Sequence, residues 1–232
     1  MNERLIFKAF RAINDLDACL NYKEGHNAVL KDYGITNVTT NNDIWMQNPN
    51  MYCIVALSAD RQETLGGIRI QISDEETLLP VEKAIGKMDG RIYQLVEKFR
   101  NNGGVGELCA LWNAKKVAGV GISILLTRAG ISVTNQLNIT TLVGICGEYT
   151  LKMFQKVGFV VDHSLGFNGL FPYPKEEFTA RVLGILNSAT LDTADPYDKE
   201  RIKAVREKPV QIAIEQGTRE QIEIEYNLLM HK

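Results

Sequence analysis

The stretch Lys116-Val117-Ala118-Gly119-Val120-Gly121 decides how this chain is read, because of what stands on either side of it. Before it, Val105 to Trp112 is an apolar run of strand character; after it, Ile122, Leu125, Leu126, Ala129 and Val133 recur at helical spacing. A chain that leaves a strand through two closely spaced glycines and enters a helix turns unpaired N–H groups and the positive end of the helix dipole towards one point. Such a point suits phosphate, and a lysine three positions before the first glycine suits a cofactor carrying a pyrophosphate.

Outward from this loop, Thr141 to Cys146 reads as a strand and Glu148 to Lys156 as a helix, which completes a β-loop-α-β-α unit. Upstream, Met51 to Ser58 and Leu65 to Ile72 form a hairpin around a turn at Asp60 to Thr64. Its second strand alternates Ile68, Ile70 and Ile72 with Arg69 and Gln71. Between the hairpin and the unit, Ser73 to Asn102 is a helical excursion closed by Asn101-Asn102-Gly103-Gly104. At the start, Phe10, Ile13, Leu16 and Leu20 predict a helix over Ala9 to His26 with Gly25 as its stop, followed by a polar stretch from Thr36 to Asn42. After Gly158-Phe159 come a strand (Val160 to Ser164), a loop through Pro174, a strand (Phe178 to Leu186), a charged helix (Asp198 to Glu207) and a last strand (Gln221 to Leu229).

The 232 residues, 45 % hydrophobic and 23 % charged, suffice for a sizeable core. A net charge of −2 and a pI near 6.0 argue against nucleic acid or an anionic membrane as partner, since no basic cluster supports counterion release. No signal peptide and no uncharged run of membrane-spanning length is legible, so a cytoplasmic location is the expectation. The four cysteines, Cys19, Cys53, Cys109 and Cys146, show no paired spacing and lie mostly in apolar runs; buried free thiols are expected, and no metal site. His163, the one histidine between Met51 and Ser164, reads as a polar strand tip, and His26 and His231 fall outside that stretch.

Three features in order, Glu-Leu-Cys-Ala-Leu-Trp before the loop, Lys-x-x-Gly-x-Gly, and Phe-x-x-x-Gly-Phe at Phe154 to Phe159, resemble the GCN5-related N-acetyltransferase (GNAT) superfamily over roughly Met51 to Ser164. The resemblance implies a mixed α/β fold: a mostly antiparallel central sheet, splayed at a cofactor cleft, flanked by helices, with a C-terminal extension. The expected division is a domain over 1–188 with its core at 51–164, and a helix-strand extension over 189–232 packing on it. The implied cofactor is acetyl-CoA or another acyl-CoA. Backbone at Val117, Ala118, Gly119, Val120 and Gly121, followed by Ile122, would cradle its pyrophosphate with Lys116, while Leu111, Trp112 and Asn113 run beside the pantetheine arm and Phe154 stands on the later helix.

The chain departs from the family pattern in three places. Lys116 replaces the usual Gln or Arg, keeping charge but losing the guanidinium fork. Phe154 stands where a tyrosine often protonates the departing thiolate, and Gly147 where an asparagine is often found. Phenylalanine donates no proton, although a thiolate with a pKa of about 8.5 leaves adequately near neutrality. Tyr149, or Thr150 one turn before Phe154, could substitute. Glu107 is the candidate general base for the acceptor amine, and its strand alternation groups it with Cys109 and Leu111. Cys109 and Cys146 are expected to pack rather than carry acyl groups.

The implied activity is transfer of an acyl group, acetyl in the first instance, to the amine of a small molecule or peptide by direct attack in a ternary complex. Alternatives are an N-acyl amino acid or acyl-homoserine-lactone synthase-like enzyme using long acyl chains, and a non-catalytic CoA-binding protein. Neither the P-loop's Gly-Lys-Ser/Thr nor a third dinucleotide-type glycine is present, Ile124 standing in the latter's place. A homodimer formed through the C-terminal strand is also expected as possible.

Overall fold

The computed structural model describes residues 4–35 and 43–230. The polar stretch Thr36 to Asn42 and His231 lie outside the described residues. Among these described residues ten strands form one sheet in the order β6-β8-β5-β4-β3-β2-β1-β10-β9, with β7 attached to β8. They are β1 (Leu5–Arg11), β2 (Met51–Leu57), β3 (Thr64–Ile72), β4 (Val105–Asn113), β5 (Thr141–Gly147), β6 (Val160–Val161), β7 (Leu170–Pro172), β8 (Thr179–Ile185), β9 (Val210–Gln216) and β10 (Gln221–Asn227). Only β1–β10 and β4–β5 run parallel; every other pair is antiparallel. The fold is the mixed, mostly antiparallel sheet, splayed between β4 and β5, that the family resemblance implies.

Two layers of helix cover the sheet. On one face lie α1 (Leu16–Asp32), α2 (Pro80–Ile85) and α3 (Arg91–Asn101); on the other lie α4 (Ile122–Ser132), α5 (Glu148–Lys156) and α6 (Pro196–Glu207). Ile68, Ile70 and Leu108 enter the core under α4, while Cys53 and Trp112 pack with Tyr22 of α1. Because both faces are covered, the Ile/Arg alternation of β3 does not mark a solvent face: Arg69 is 1 % exposed and Gln71 2 %.

The N-terminal helix expected over Ala9 to His26 is corrected. Residues 5–11 form a central strand, buried on both faces, which explains its nearly continuous apolar run. The helix starts after Asp15, whose carboxylate caps it by accepting the Ala18 N–H at 3.1 Å. It then runs through Gly25 to Asp32. Gly25 is not a stop but a gap for an indole, since a Cβ there would lie 2.6 Å from Cζ2 and Cζ3 of Trp112. The helix buries Cys19, Tyr22 and His26, whereas Leu16 and Leu20 of the expected apolar face stand in solvent.

The C-terminal segment contributes two strands. β9, unseen in the sequence reading, pairs with β10, and β10 pairs in parallel with β1. The last strand is therefore hydrogen-bonded on both sides and offers no free edge for a dimer; the free edge belongs to β9. α6 is fastened to α4 and β9 by buried charges. Arg128 Nε meets Asp198 at 2.6 Å, and Arg201 Nη2 meets Glu215 at 2.6 Å. Glu215 is 0 % exposed and also lies 3.5 Å from Arg128 Nη1, so two guanidinium groups share it.

Candidate functional site

β4 and β5 pair only from Val105–Thr141 to Glu107–Val143 and then diverge. A parallel pair that opens in this way leaves the inner edge of β4 without a strand partner, which permits an extended ligand to bond backbone there. In the same stretch β4 carries a bulge: the register to β3 shifts between Gly67–Trp112 and Arg69–Cys109, and Ala110 adopts φ +49°. The Tyr22 hydroxyl donates to the Ala110 carbonyl and braces the bulge from α1.

At the end of β4 the chain makes one 3₁₀ turn, Lys115–Val117, and reaches α4 through Gly121, which caps it in the left-handed region at φ +107°. Val117, Ala118 and Val120 donate their N–H groups to local turns. Among the described residues the N–H groups of Gly119 and Gly121 have no protein acceptor, the condition that a phosphate-binding loop needs. Lys116 forms an ion pair with Glu63, and Lys115 one with Asp32 at 3.0 Å. Leu111 packs against the α4 side of the core, Trp112 stands edge-on to Tyr22 at 5.9 Å, and Asn113 accepts the Ser123 hydroxyl at 2.6 Å. Ile122 is core, and Phe154 meets Phe159 edge-on at 5.3 Å.

The mouth of the divergence is a cavity of about 180 Å³ whose lining includes His26, Glu107, Cys109, Cys146, Tyr149, Phe154 and Tyr173. The two residues expected to do chemistry, Glu107 and Tyr149, thus line one cavity. Glu107 is 0 % exposed; its Oε2 accepts the Val81 N–H at 2.7 Å, and Oε1 has no partner among the described residues. Burial pushes its carboxyl up to about 8, against the Val81 hydrogen bond and with help from the charge of Glu82. Tyr149 is 82 % exposed at the rim. Thr150 donates its hydroxyl to the Gly147 carbonyl at 3.1 Å.

Burial raises the Cys109 thiol to about 12 and the Cys146 thiol to about 11, so neither forms a thiolate near neutrality. His163 lies outside the cleft, 3.3 Å from the Asn168 carbonyl. His26, which sequence reasoning set outside the site, lines the cavity instead. Burial, and then the charge of Arg69, hold its imidazole down at about 3, so it stays neutral. Among the described residues no group of three metal-ligating side chains occurs.

A larger cavity, about 620 Å³, lies on the α1/α2 face and is lined by Trp45, Arg69, Gln71, Lys83 and the acidic run Asp74 to Glu76, among others. The two cavities share Pro80, and the cross-strand pairs Gln71–Glu107 and Arg69–Cys109 contribute one residue to each. The Arg69 guanidinium sits 4.3 Å from the centre of the Trp45 ring and 5.6 Å from that of Tyr22. A third cavity, about 350 Å³ and mostly apolar, joins the cleft through Ile145, Cys146, Gly147, Tyr149 and Tyr173.

A sheet that opens between β4 and β5, with a glycine-ended turn and a helix after β4, is the GNAT-like acyl-CoA N-acyltransferase fold. Among solved structures the chain is similar to FeeM, an N-acyl amino acid synthase from uncultured soil microbes. The identity is 12 %, over 85 % of this chain and 98 % of that one, with a TM-score of 0.63. It is also similar to an acyl-CoA N-acyltransferase from Pseudomonas aeruginosa, at 11 % identity over 78 % and 98 % of the two chains and a TM-score of 0.55. BjaI, a CoA-dependent acyl-homoserine lactone synthase whose structure holds SAM and isopentyl-CoA, gives 15 %, 86 %, 90 % and 0.54 for the same quantities. At such identities the likeness is one of fold. No protein-family model matches the sequence, and no curated protein matches it.

Proposed function

We propose that this protein is an acyl-CoA-dependent N-acyltransferase. The observation that carries the reading is the succession of three features along β4 and the loop that follows it: the buried carboxyl of Glu107 in the cleft, the unpaired inner edge of β4, and the N–H groups of Gly119 and Gly121, which have no acceptor among the described residues. An acyl-CoA supplies an activated carbonyl as its thioester. Gly119 and Gly121 hold the diphosphate, the backbone from Cys109 to Asn113 holds the pantetheine arm, and the cleft receives the thioester. The acceptor amine enters from the 620 Å³ cavity.

Glu107 in its ionised form takes the proton that the amine must lose, through one water where needed. The nitrogen–carbon bond forms as the carbon–sulfur bond breaks, and the departing sulfur is protonated by Tyr149 or by solvent. A carboxyl poised near 8 is a stronger base than an ordinary glutamate and is still partly ionised at neutral pH. Acetyl-CoA is the donor proposed first, with a small-molecule or peptide amine as acceptor.

Two observations favour a second reading. The apolar 350 Å³ cavity joined to the cleft offers room for a longer acyl chain, and the larger cavity combines Arg69 and Lys83 with carboxylates, which suits an acceptor carrying both charges. Those features support an N-acyl amino acid synthase-like activity. Thermal stabilisation by CoA, acetyl-CoA and a long-chain acyl-CoA, followed by release of free thiol in the presence of amines and amino acids, tests both readings. Stabilisation without turnover against any acceptor would leave a CoA-binding protein, and no stabilisation by any donor would overturn the assignment.

A further inference from the structure

The sequence pattern gives the cationic part of the phosphate site to Lys116, yet in the structure both lysines before the loop are already engaged, Lys115 by Asp32 and Lys116 by Glu63. A different segment reaches the loop. The turn between β9 and β10 lies against it: the Thr218 N–H donates to the Val120 carbonyl at 2.9 Å, and a Cβ on Gly121 would lie 2.6 Å from Thr218 N and 2.9 Å from its Oγ1. The next residue, Arg219, places its guanidinium over Gly119, with Nη2 3.3 Å and Cζ 3.4 Å from where a Cβ on that glycine would stand. Among the described residues Arg219 has no carboxylate partner. An exposed guanidinium thus sits over Gly119, one of the two loop residues whose N–H has no acceptor, and among the described residues no acid engages it. Glu220 follows it in the turn, and the Gly217 N–H closes that turn on the Glu220 carbonyl at 2.9 Å.

We propose that Arg219 supplies the cation that neutralises the diphosphate of the CoA donor, so that the C-terminal hairpin completes the donor site. The inference rests on the acyl-CoA reading above. It follows from charge and geometry: a guanidinium fork matches a phosphate's paired oxygens better than an ammonium, and here it is the cation left unspent at the loop. The hairpin is held in place from behind, since Glu215, just before the turn, is clamped by Arg201 and Arg128, and Arg128 belongs to the helix that the loop begins.

Calorimetric titration of wild type, Arg219→Ala, Arg219→Lys and Lys116→Ala with CoA, dephospho-CoA and pantetheine tests it. Arg219→Ala is expected to weaken CoA and dephospho-CoA alike by about ten- to a hundredfold, as loss of a hydrogen bond to a charged group implies, with an unchanged melting temperature. Arg219→Lys should recover part of the loss, pantetheine should bind all four proteins equally, and Lys116→Ala should lose less than Arg219→Ala. Equal CoA binding by wild type and Arg219→Ala would overturn the role of Arg219 alone. A loss seen with CoA but not with dephospho-CoA would move the contact to the 3′-phosphate and overturn the proposal too. If the wild type bound no CoA, the donor reading itself would fall, and this inference with it.

Discussion

Glu107 Oε2 accepts the backbone N–H of Val81 at 2.7 Å, which ties the middle of β4 to the first turn of α2 and leaves Oε1 free among the described residues to meet a proton. Its carboxyl is raised from 4.5 to about 8, chiefly by burial. Between those values the folded chain holds a proton that the unfolded chain has released. Stability therefore falls as pH rises from 4.5 to about 8, by at most about 1.4 kcal/mol per pH unit from this group. Glu107→Gln keeps an acceptor for Val81 and removes that slope. Urea titrations of both proteins between pH 5 and 9 should show their difference changing steadily with pH; a constant difference would mean an ordinary carboxylate.

The same variant bears on catalysis. With Glu107 as base, the wild-type rate should climb with a midpoint near pH 8 in the free enzyme, and Glu107→Gln should lower kcat by about 10²- to 10⁴-fold and flatten the profile. An unchanged profile in the variant would assign the proton to another group.

Gly25 has a large effect to reveal, because alanine is the better helix former by about 1 kcal/mol yet a methyl group here meets the Trp112 ring. Sterics should win: Gly25→Ala is expected to destabilise by about 1–3 kcal/mol through displacement of α1 or of the indole. Tryptophan fluorescence during denaturation, followed in a Trp45→Phe background that leaves Trp112 as the one indole, reports both the midpoint and the disturbed ring.

At Gly121 two costs coincide, a left-handed φ of +107° and the close approach of Thr218. Gly121→Ala should lose about 1–3 kcal/mol and weaken CoA binding at the same time, since the loop and the hairpin turn must separate to admit the methyl. Normal stability with normal CoA affinity would show the approach to be unimportant.

Removing one half of a buried ion pair strands the other. Asp198→Ala leaves Arg128, 4 % exposed, without its nearest carboxylate and should destabilise by about 3–5 kcal/mol. Arg201→Ala, at a more accessible position, leaves Glu215 with Arg128 and should cost less. Chemical denaturation of the two variants ranks them.

The middle of the chain was legible because local signals agreed there. From β4 through the glycine turn, α4, β5 and α5, helical or strand spacing, punctuating glycines and element length all point the same way, and the observed limits lie within a residue or so of the expected ones. The ends were harder because tertiary packing overrode local pattern. Leu16 and Leu20 lie at helical spacing but are exposed, while α1 turns Tyr22 and His26 inward to cover polar residues of the sheet. In β9 the alternation Val210, Ile212, Ile214 was a usable strand signal, yet it points outward, and the buried member of the other set is Glu215. His26 lines the cleft, Arg69 and Trp45 line the larger cavity and Arg219 lies over Gly119, each from a distant segment, and nothing in their neighbours' spacing announces it.

Arg4 and Glu223 are 219 residues apart and their side chains pair, because β1 enters the sheet between β2 and β10. During translation β1 is therefore made long before β10, the strand that completes it. Until residues 221–227 leave the ribosome, every nascent chain carries β1 with one open, hydrogen-bond-hungry edge in an otherwise apolar strand. The demand of that topology falls on the growing chain and leaves no trace in the folded one, where β1 is paired on both sides.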